Sequence, residues 1–155
     1  MKIKHNFILL LCFFASSLVA QNNKTIDSLE VLLKKSSVDT VKIKIYNRLA
    51  KELAEKDTLK AQVFAEKALV LSETVNIPHF IAESYEMKAL VLLKQVKYSE
   101  ANSLYAKSLK IYNKTGDQNA ASDVLIKMGD VYVSMFESEK ALEYYQKALV
   151  KSVSA

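Results

Sequence analysis

Glycine and proline are scarce in this sequence, which contains two Gly, one Pro and no Trp in 155 residues. Scarcity of these backbone breakers leaves long stretches that a helix can occupy without interruption. Half of the residues are hydrophobic and 25% are charged, and the length is that of one domain. Together these features predict a helical protein.

Side chains that carry chemistry are equally few. Cys12 is the only Cys, and His79 is the only His after residue 20. The chain after that point therefore has no disulfide, thiolate metal site, histidine metal cluster or Ser-His-Asp arrangement. It also has no glycine-rich phosphate loop. We predict a protein that is not an enzyme and that binds no metal or cofactor.

The first 20 residues differ from the rest. Lys2 and Lys4 precede an apolar run over residues 7–14, and small residues follow it as far as Ala20. This layout predicts a secretory signal peptide over residues 1–20, and hence an exported, periplasmic or extracellular protein. Cleavage after Ala20 leaves Gln21 first, cleavage after Ser17 is the alternative, and an uncleaved anchor is a third possibility.

Charge after the signal peptide is mixed in sign along every predicted helix. Removing the two Lys residues of the leader lowers the formal net charge from +5 to +3. Arg48 is the only Arg, so the chain has few side chains that could bind a phosphate through two parallel hydrogen bonds. This balance predicts neither nucleic-acid binding nor membrane binding once the leader is gone.

An internal repeat organises the remainder of the chain. Ala141 and Tyr145 recur as Ala101 and Tyr105, and Ala61 stands a further 40 residues earlier. A fixed period of this size indicates stacked supersecondary units. The domain organisation that we predict is a short helix or linker over residues 21–38 followed by repeats over residues 39–78, 79–118 and 119–155.

The spacing within one unit resembles the tetratricopeptide repeat. The motif residues are Leu125, Met128-Gly129 and Tyr132 on a first helix, then Ala141 and Tyr145 on a second. This chain departs from the family in its period of 40 residues instead of about 34, and no Pro closes the second helix. The resemblance implies an all-α, right-handed α-solenoid of about seven helices, including an extra N-terminal one.

Small and aromatic side chains are expected to form the contact between the helices of each pair. These packing residues are Ala50, Ala61, Ala68, Ala89, Ala101, Tyr105, Ser108, Gly129, Tyr132, Ala141, Tyr145 and Ala148. Ala89 and Ala50 stand at the place of Gly129 in the other units, so Gly129→Ala is expected to be nearly neutral or stabilising.

The first helices of the pairs are expected to line a concave groove that takes an extended peptide or a partner helix. The predicted lining residues are Lys44, Asn47, Lys51, Glu83, Met87, Leu90, Asp123, Lys127 and Asp130. Some members of the family grip a terminal carboxylate with Lys, Asn and Arg, but Met87 and Asp123 interrupt such a cluster here. Glu83 and Glu86, a conceivable carboxylate pair, are interpreted as part of a solvated face.

The export signal, the Lys- and Asn-rich composition and the period also resemble the extracytoplasmic repeat regions of Bacteroidetes-type signalling proteins. The resemblance implies a protein-interaction module that serves as a scaffold or sensor, and the alternative is a periplasmic peptide- or solute-binding protein. The last helix carries Leu142, Tyr145, Leu149 and Val150 on one side. We expect this apolar edge either to self-associate or to be covered by a further helix of a longer chain.

Overall fold

The structure, a computed structural model, describes residues 24–153. The predicted signal peptide and both of its cleavage positions lie outside these residues. The chain divides into two compact units, residues 1–36 and residues 37–155. In the first unit, residues 24–35 form helix α1. Residues 24–153 contain seven helices and no strand, which confirms the all-α fold.

Six helices build the second unit. They are α2 (Asp39–Leu53), α3 (Thr58–Val75), α4 (Pro78–Lys94), α5 (Tyr98–Thr115), α6 (Gln118–Ser134) and α7 (Ser138–Val153). Each helix packs against the next one, and α2 also contacts α4. The unit is therefore a solenoid of three helix pairs, in which α2, α4 and α6 are the first helices and α3, α5 and α7 the second.

Local sequence signals set the ends of these helices. The carboxylates of Asp57 and Asp117 each accept a backbone N–H at 3.0 Å and so cap α3 and α6. Pro78 occupies the first turn of α4, where its missing N–H is not needed. Asn76 and Gly116 end α3 and α5 in the left-handed conformation, at φ 57° and 79°. These five residues are of the types that favour helix ends, so the sequence itself marks these boundaries.

The turns inside the second and third pairs contain a feature that the sequence did not predict. Val96 and Phe136 lie two residues beyond the last residues of α4 and α6, and their φ angles of 63° and 60° fall in the left-handed region that favours Gly. In each turn the N–H of the following residue donates a hydrogen bond of 2.9 Å to a carbonyl five residues earlier, from Lys97 to Leu92 and from Glu137 to Tyr132. This bond closes the end of the helix. The Phe136 side chain is 94% exposed, so the backbone strain brings no compensating burial.

We expect Val96→Asn to stabilise the protein by about 1 kcal/mol, because Asn adopts the left-handed conformation at less cost than a β-branched residue. Urea unfolding followed by circular dichroism measures the change. Val63→Asn is the matched control, since Val63 is a half-exposed residue inside α3 with no such strain. A loss of stability in the Val96 variant would mean that its side chain makes contacts that outweigh the strain.

The predicted packing residues lie between the helices of the solenoid. Ten of the twelve are buried, and Tyr132 and Tyr145 are half-buried. Tyr105 is among the largest fully buried side chains, and it belongs to a core cluster formed by α4, α5 and α6. Tyr132 stacks on Tyr144 with ring centres 5.1 Å apart, which joins α6 to α7.

Gly129 does not have the room that its counterparts Ala89 and Ala50 suggested. A Cβ at Gly129 would lie 2.5 Å from Cε1 of Tyr145. The Tyr145 hydroxyl donates a hydrogen bond of 2.7 Å to Asp130, the residue after Gly129, and this bond holds the ring over the glycine. In the second pair Leu90 stands in place of Asp130 and cannot accept such a bond. The structure therefore contradicts the room that the neutral expectation assumed, and we expect Gly129→Ala to destabilise the third pair.

Candidate functional site

An open cleft of about 440 Å³ runs across the first helices of the three pairs, and we call it the groove. Seven of the nine predicted lining residues meet there. They are Lys44, Asn47 and Lys51 from α2, Glu83 and Met87 from α4, and Asp123 and Lys127 from α6. The repeat register read from the sequence therefore places these side chains on one surface.

Leu90 and Asp130 do not line the groove. Each stands three residues beyond the last lining residue of its helix, which is about 4.5 Å further along the axis. Leu90 is half-buried, and the carboxylate of Asp130 accepts the hydrogen bond from Tyr145. The predicted lining was therefore one turn too long on α4 and on α6.

Five further residues line the groove and were not predicted: Arg48, His79, Glu86, Tyr112 and Ala120. Glu86 could have been found, since it follows Glu83 by three residues and so shares its helix face. Tyr112 could not, because it belongs to the second helix α5 and reaches the groove only through the packing of α5 between α4 and α6. Its hydroxyl donates a hydrogen bond to Glu86 of α4.

Glu86 is a buried carboxylate at the groove, not part of a solvated face. It is 6% exposed and accepts hydrogen bonds from the hydroxyl of Tyr112 at 2.9 Å and from Ser108 at 3.4 Å. Its second oxygen forms an ion pair with Lys127 of α6. Burial and the neighbouring Glu86 carboxylate raise the pKa of Tyr112, so the phenol remains a donor at neutral pH. This network ties the second pair to the third.

Asn47 is the least satisfied polar side chain of the groove. It is 92% buried, at 8% exposure, and neither its amide nitrogen nor its amide oxygen has a hydrogen-bond partner. An unpaired buried polar group costs about 1–3 kcal/mol, and polar groups buried in proteins are normally paired. Both amide atoms are shielded from solvent, so this unpaired donor and acceptor lie beneath the surface of the groove and are not open to a bound molecule.

The charges of the groove are divided between its two sides. Lys44, Arg48 and Lys51 make the α2 side cationic, whereas Glu83, Glu86 and Asp123 outnumber Lys127 on α4 and α6. Most of these charges are already engaged. Arg48 pairs with Glu52 at 2.7 Å, His79 lies 3.5 Å from Glu83, and Lys44 lies over the ring of Phe80.

Two charged side chains of the groove, Lys51 and Asp123, have no such contacts in the described part of the chain. Within residues 24–153, the side chains of Lys51 and Asp123 make no ion pair, hydrogen bond or ring contact. Both residues are exposed, and they stand on opposite sides of the groove, on α2 and α6. A bound molecule can therefore approach an unpaired cation and an unpaired anion.

Metal coordination and membrane crossing find no support in the described part of the chain. Residues 24–153 bring no three His, Cys, Asp or Glu side chains together in a way that could hold a metal ion. No helix in that range combines the length and the apolar character that a membrane span requires.

Residues 80–149 match a family model described as tetratricopeptide repeat. No curated protein matches the chain in sequence. Among solved structures, the tetratricopeptide repeat domain of Arabidopsis FLU is similar over 76% of this chain and 100% of its own, at 18% identity and a TM-score of 0.66.

Two other solved structures share the fold. A signal transduction ATPase with numerous domains and a tetratricopeptide repeat sensor, from Pyrococcus horikoshii, is 26% identical with a TM-score of 0.74, and the match covers 88% of this chain and 22% of that one. BtubC of P. vanneervenii is 18% identical with a TM-score of 0.64, over 86% of this chain and 55% of its own. The chain therefore has the fold of tetratricopeptide repeat proteins, and residues 80–149 match the sequence model of that family.

Proposed function

We propose that this protein is a non-catalytic protein-interaction module and that the groove binds an extended segment of a partner protein. The observation that carries the proposal is the open cleft itself, to which the first helices of all three pairs contribute exposed charged side chains and Met87. A concave surface that joins apolar and charged groups from several repeats favours a ligand that runs along them. The cleft is open and elongated along the stack, which suits a peptide better than an enclosed solute.

Selection from a phage-displayed library of random dodecapeptides tests this proposal. We expect the protein to enrich peptides whose binding is lost in Met87→Arg, because the larger cation fills the centre of the groove. Val63→Arg is the matched control, since Val63 is an exposed residue of the second helix α3 and does not line the groove. Enriched peptides that bind the Met87 variant as well as the parent protein would contradict the proposal.

Export is the second element of the proposal and rests on the leader-like sequence of residues 1–20. We expect the protein recovered from its host to begin at Gln21 or, failing that, at Leu18. Mass spectrometry of the intact chain measures this directly, and replacing both Lys2 and Lys4 by Glu provides a control that should reduce processing. A chain that keeps Met1 would instead be a membrane-anchored protein.

A sensory or scaffolding role in a bacterial signalling system is the finer form of this proposal. A tetratricopeptide repeat sensor is part of the signal transduction ATPase from Pyrococcus horikoshii, and this similarity supports the proposal. In such a role, binding in the groove would be the input. Binding of a periplasmic peptide or solute without any signalling output is the alternative, and a groove-dependent change in a signalling output distinguishes the two.

The outer side of α7 supports a separate proposal of self-association. Leu142, Leu149 and Val153 are 57%, 64% and 80% exposed, and their spacing places them on one stripe of the helix.

We propose that two copies pack through this stripe, and we expect Leu142→Glu and Leu149→Glu to reduce the sedimentation coefficient at micromolar concentration. Val63→Glu is the control, and a parent protein that already sediments as a monomer would contradict the proposal. Tyr145 is unsuited to this test because it packs on Gly129.

A further inference from the structure

We propose that α7 pairs with α7 of a second copy of this chain in an antiparallel arrangement, with Phe136 of each copy packed against Val153 of the other. This pairing rests on the self-association proposed above and specifies its geometry. Two observations carry it: the strained and exposed position of Phe136, and the order of exposed apolar and charged residues along α7.

Phe136 is unfavourable to the isolated chain in two ways. Its backbone lies in the left-handed region at φ 60°, which disfavours a side chain with a Cβ, and 94% of the residue is exposed. Val96, its counterpart 40 residues earlier, has the same conformation and is 65% exposed. Covering an aromatic ring removes a large apolar area from water. A second copy that covers Phe136 therefore offsets the cost of placing this residue in the turn.

The exposed apolar residues of α7 are placed symmetrically along the helix. α7 runs from Ser138 to Val153, so its midpoint lies between residues 145 and 146, and Leu142 and Leu149 are equally far from that midpoint. Phe136 precedes the first residue of α7 by two positions, and Val153 is the last residue. An antiparallel copy centred on the midpoint therefore places Leu142 on Leu149 and the Phe136 turn beside Val153, in a two-fold contact about 24 Å long.

The charges of α7 favour the same direction of pairing. Residues 137–143 contain three Glu and one Lys, whereas residues 144–153 contain two Lys and no acidic residue. Antiparallel pairing brings the acidic half of each helix towards the basic half of the other and opposes the two helix dipoles, whereas parallel pairing would bring like charges together. An open cavity of about 410 Å³ lined by residues 136–140 gives the Val153 side chain of the second copy a place to enter.

Phe136→Asn tests the role of the ring, because it removes the aromatic side chain and also relieves the backbone. We expect the Tm of the dilute monomer to rise, whereas the dissociation constant of the dimer, measured by sedimentation equilibrium, increases about tenfold. Val96→Asn is the matched control. It relieves the same strain in the turn of the second pair, away from α7, and should leave the dissociation constant unchanged.

Cross-linking tests the direction of the pairing. Cys12 is the only Cys, so single-Cys proteins are made in a Cys12→Ser background. Ser138→Cys and Ser152→Cys mark the two ends of α7 at exposed positions and leave its apolar residues unchanged. We expect a short bismaleimide to join the two variants when they are mixed and to join neither variant to itself, because like ends lie about 20 Å apart along the pair. In the control mixture Ser99→Cys, exposed on α5, replaces Ser138→Cys and should give no cross-link.

Failure of the antiparallel pairing differs from failure of self-association. A dimer that cross-links within each single variant but not in the mixture would show parallel pairing and overturn the inference while self-association stands. A dimer whose dissociation constant responds equally to Phe136→Asn and Val96→Asn would place Phe136 outside the contact and overturn it as well. A parent protein that sediments as a monomer at micromolar concentration would overturn both proposals, and none of these results bears on peptide binding in the groove.

Discussion

Gly129→Leu is expected to lower the free energy of unfolding by about 3 kcal/mol, the upper part of the range for overpacked sites. Even the first added carbon would lie 2.5 Å from the Tyr145 ring, so a branched side chain must displace that ring and its hydrogen bond to Asp130 or move α7 away from α6. Gly129→Ala should cost about 1 kcal/mol despite the better helix propensity of Ala. Urea unfolding followed by circular dichroism measures both values.

Repeating Gly129→Ala in a Tyr145→Ala variant tests whether the Tyr145 ring causes the loss of stability. With the ring removed, Gly129→Ala should become neutral or stabilising, because the first pair already has Ala at both corresponding positions, Ala50 and Ala65. A loss of about 1 kcal/mol that persists without the ring would mean that another part of the pair resists the methyl group. An unchanged stability of the Leu variant would place Gly129 at the surface and contradict the packing of the third pair.

Lys127→Met is expected to destabilise the protein by about 2–3 kcal/mol, because it leaves the buried Glu86 carboxylate without its cation. This loss is smaller than the 3–5 kcal/mol typical of fully buried ion pairs, because 39% of the Lys127 side chain is exposed and water screens part of its charge. The hydroxyls of Tyr112 and Ser108 remain as donors to Glu86. Thermal and urea unfolding at pH 7 measure the loss.

The matched control is Lys94→Met, which breaks the exposed ion pair with Glu55 and should cost less than about 1 kcal/mol. Combining Lys127→Met with Glu86→Gln should recover part of the loss, because the amide can still accept from Tyr112 and has no charge to desolvate. Equal losses in the Lys127 and Lys94 variants would show that Glu86 is solvated in solution and that the network does not join the second and third pairs.

The helix ends were predictable because they depend on local backbone chemistry. Asp57, Asp117, Asn76 and Gly116 each act on a residue within one turn of themselves, and nothing distant overrides them. Val96 and Phe136 were not predicted to be left-handed, since neither residue type favours that conformation. The closed turn between the two helices places both residues in that conformation, in which the N–H groups of Lys97 and Glu137 bond to the carbonyls of Leu92 and Tyr132.

The groove was predictable to the extent that it follows helix periodicity. One helix face contains Glu83 and Met87, and equivalent faces of the other first helices follow from the repeat. Tyr112 was missed because it comes from a second helix. The burial of Glu86 was missed because a charged side chain on a helix is usually exposed to solvent. The clash at Gly129 depends on the ring position of Tyr145, which a hydrogen bond to Asp130 fixes and no periodicity encodes.

The most direct test of the groove is chemical-shift mapping by NMR, with the strongest dodecapeptide from the selection titrated into the labelled protein. We predict that the perturbed backbone amides cluster in residues 44–51, 79–87 and 120–127, and that the side-chain amide of Asn47 shifts while that of Asn102, which donates to Tyr132 outside the groove, does not. Perturbations confined to α3, α5 and α7, with Asn47 unchanged, would contradict a peptide-binding groove on the first helices.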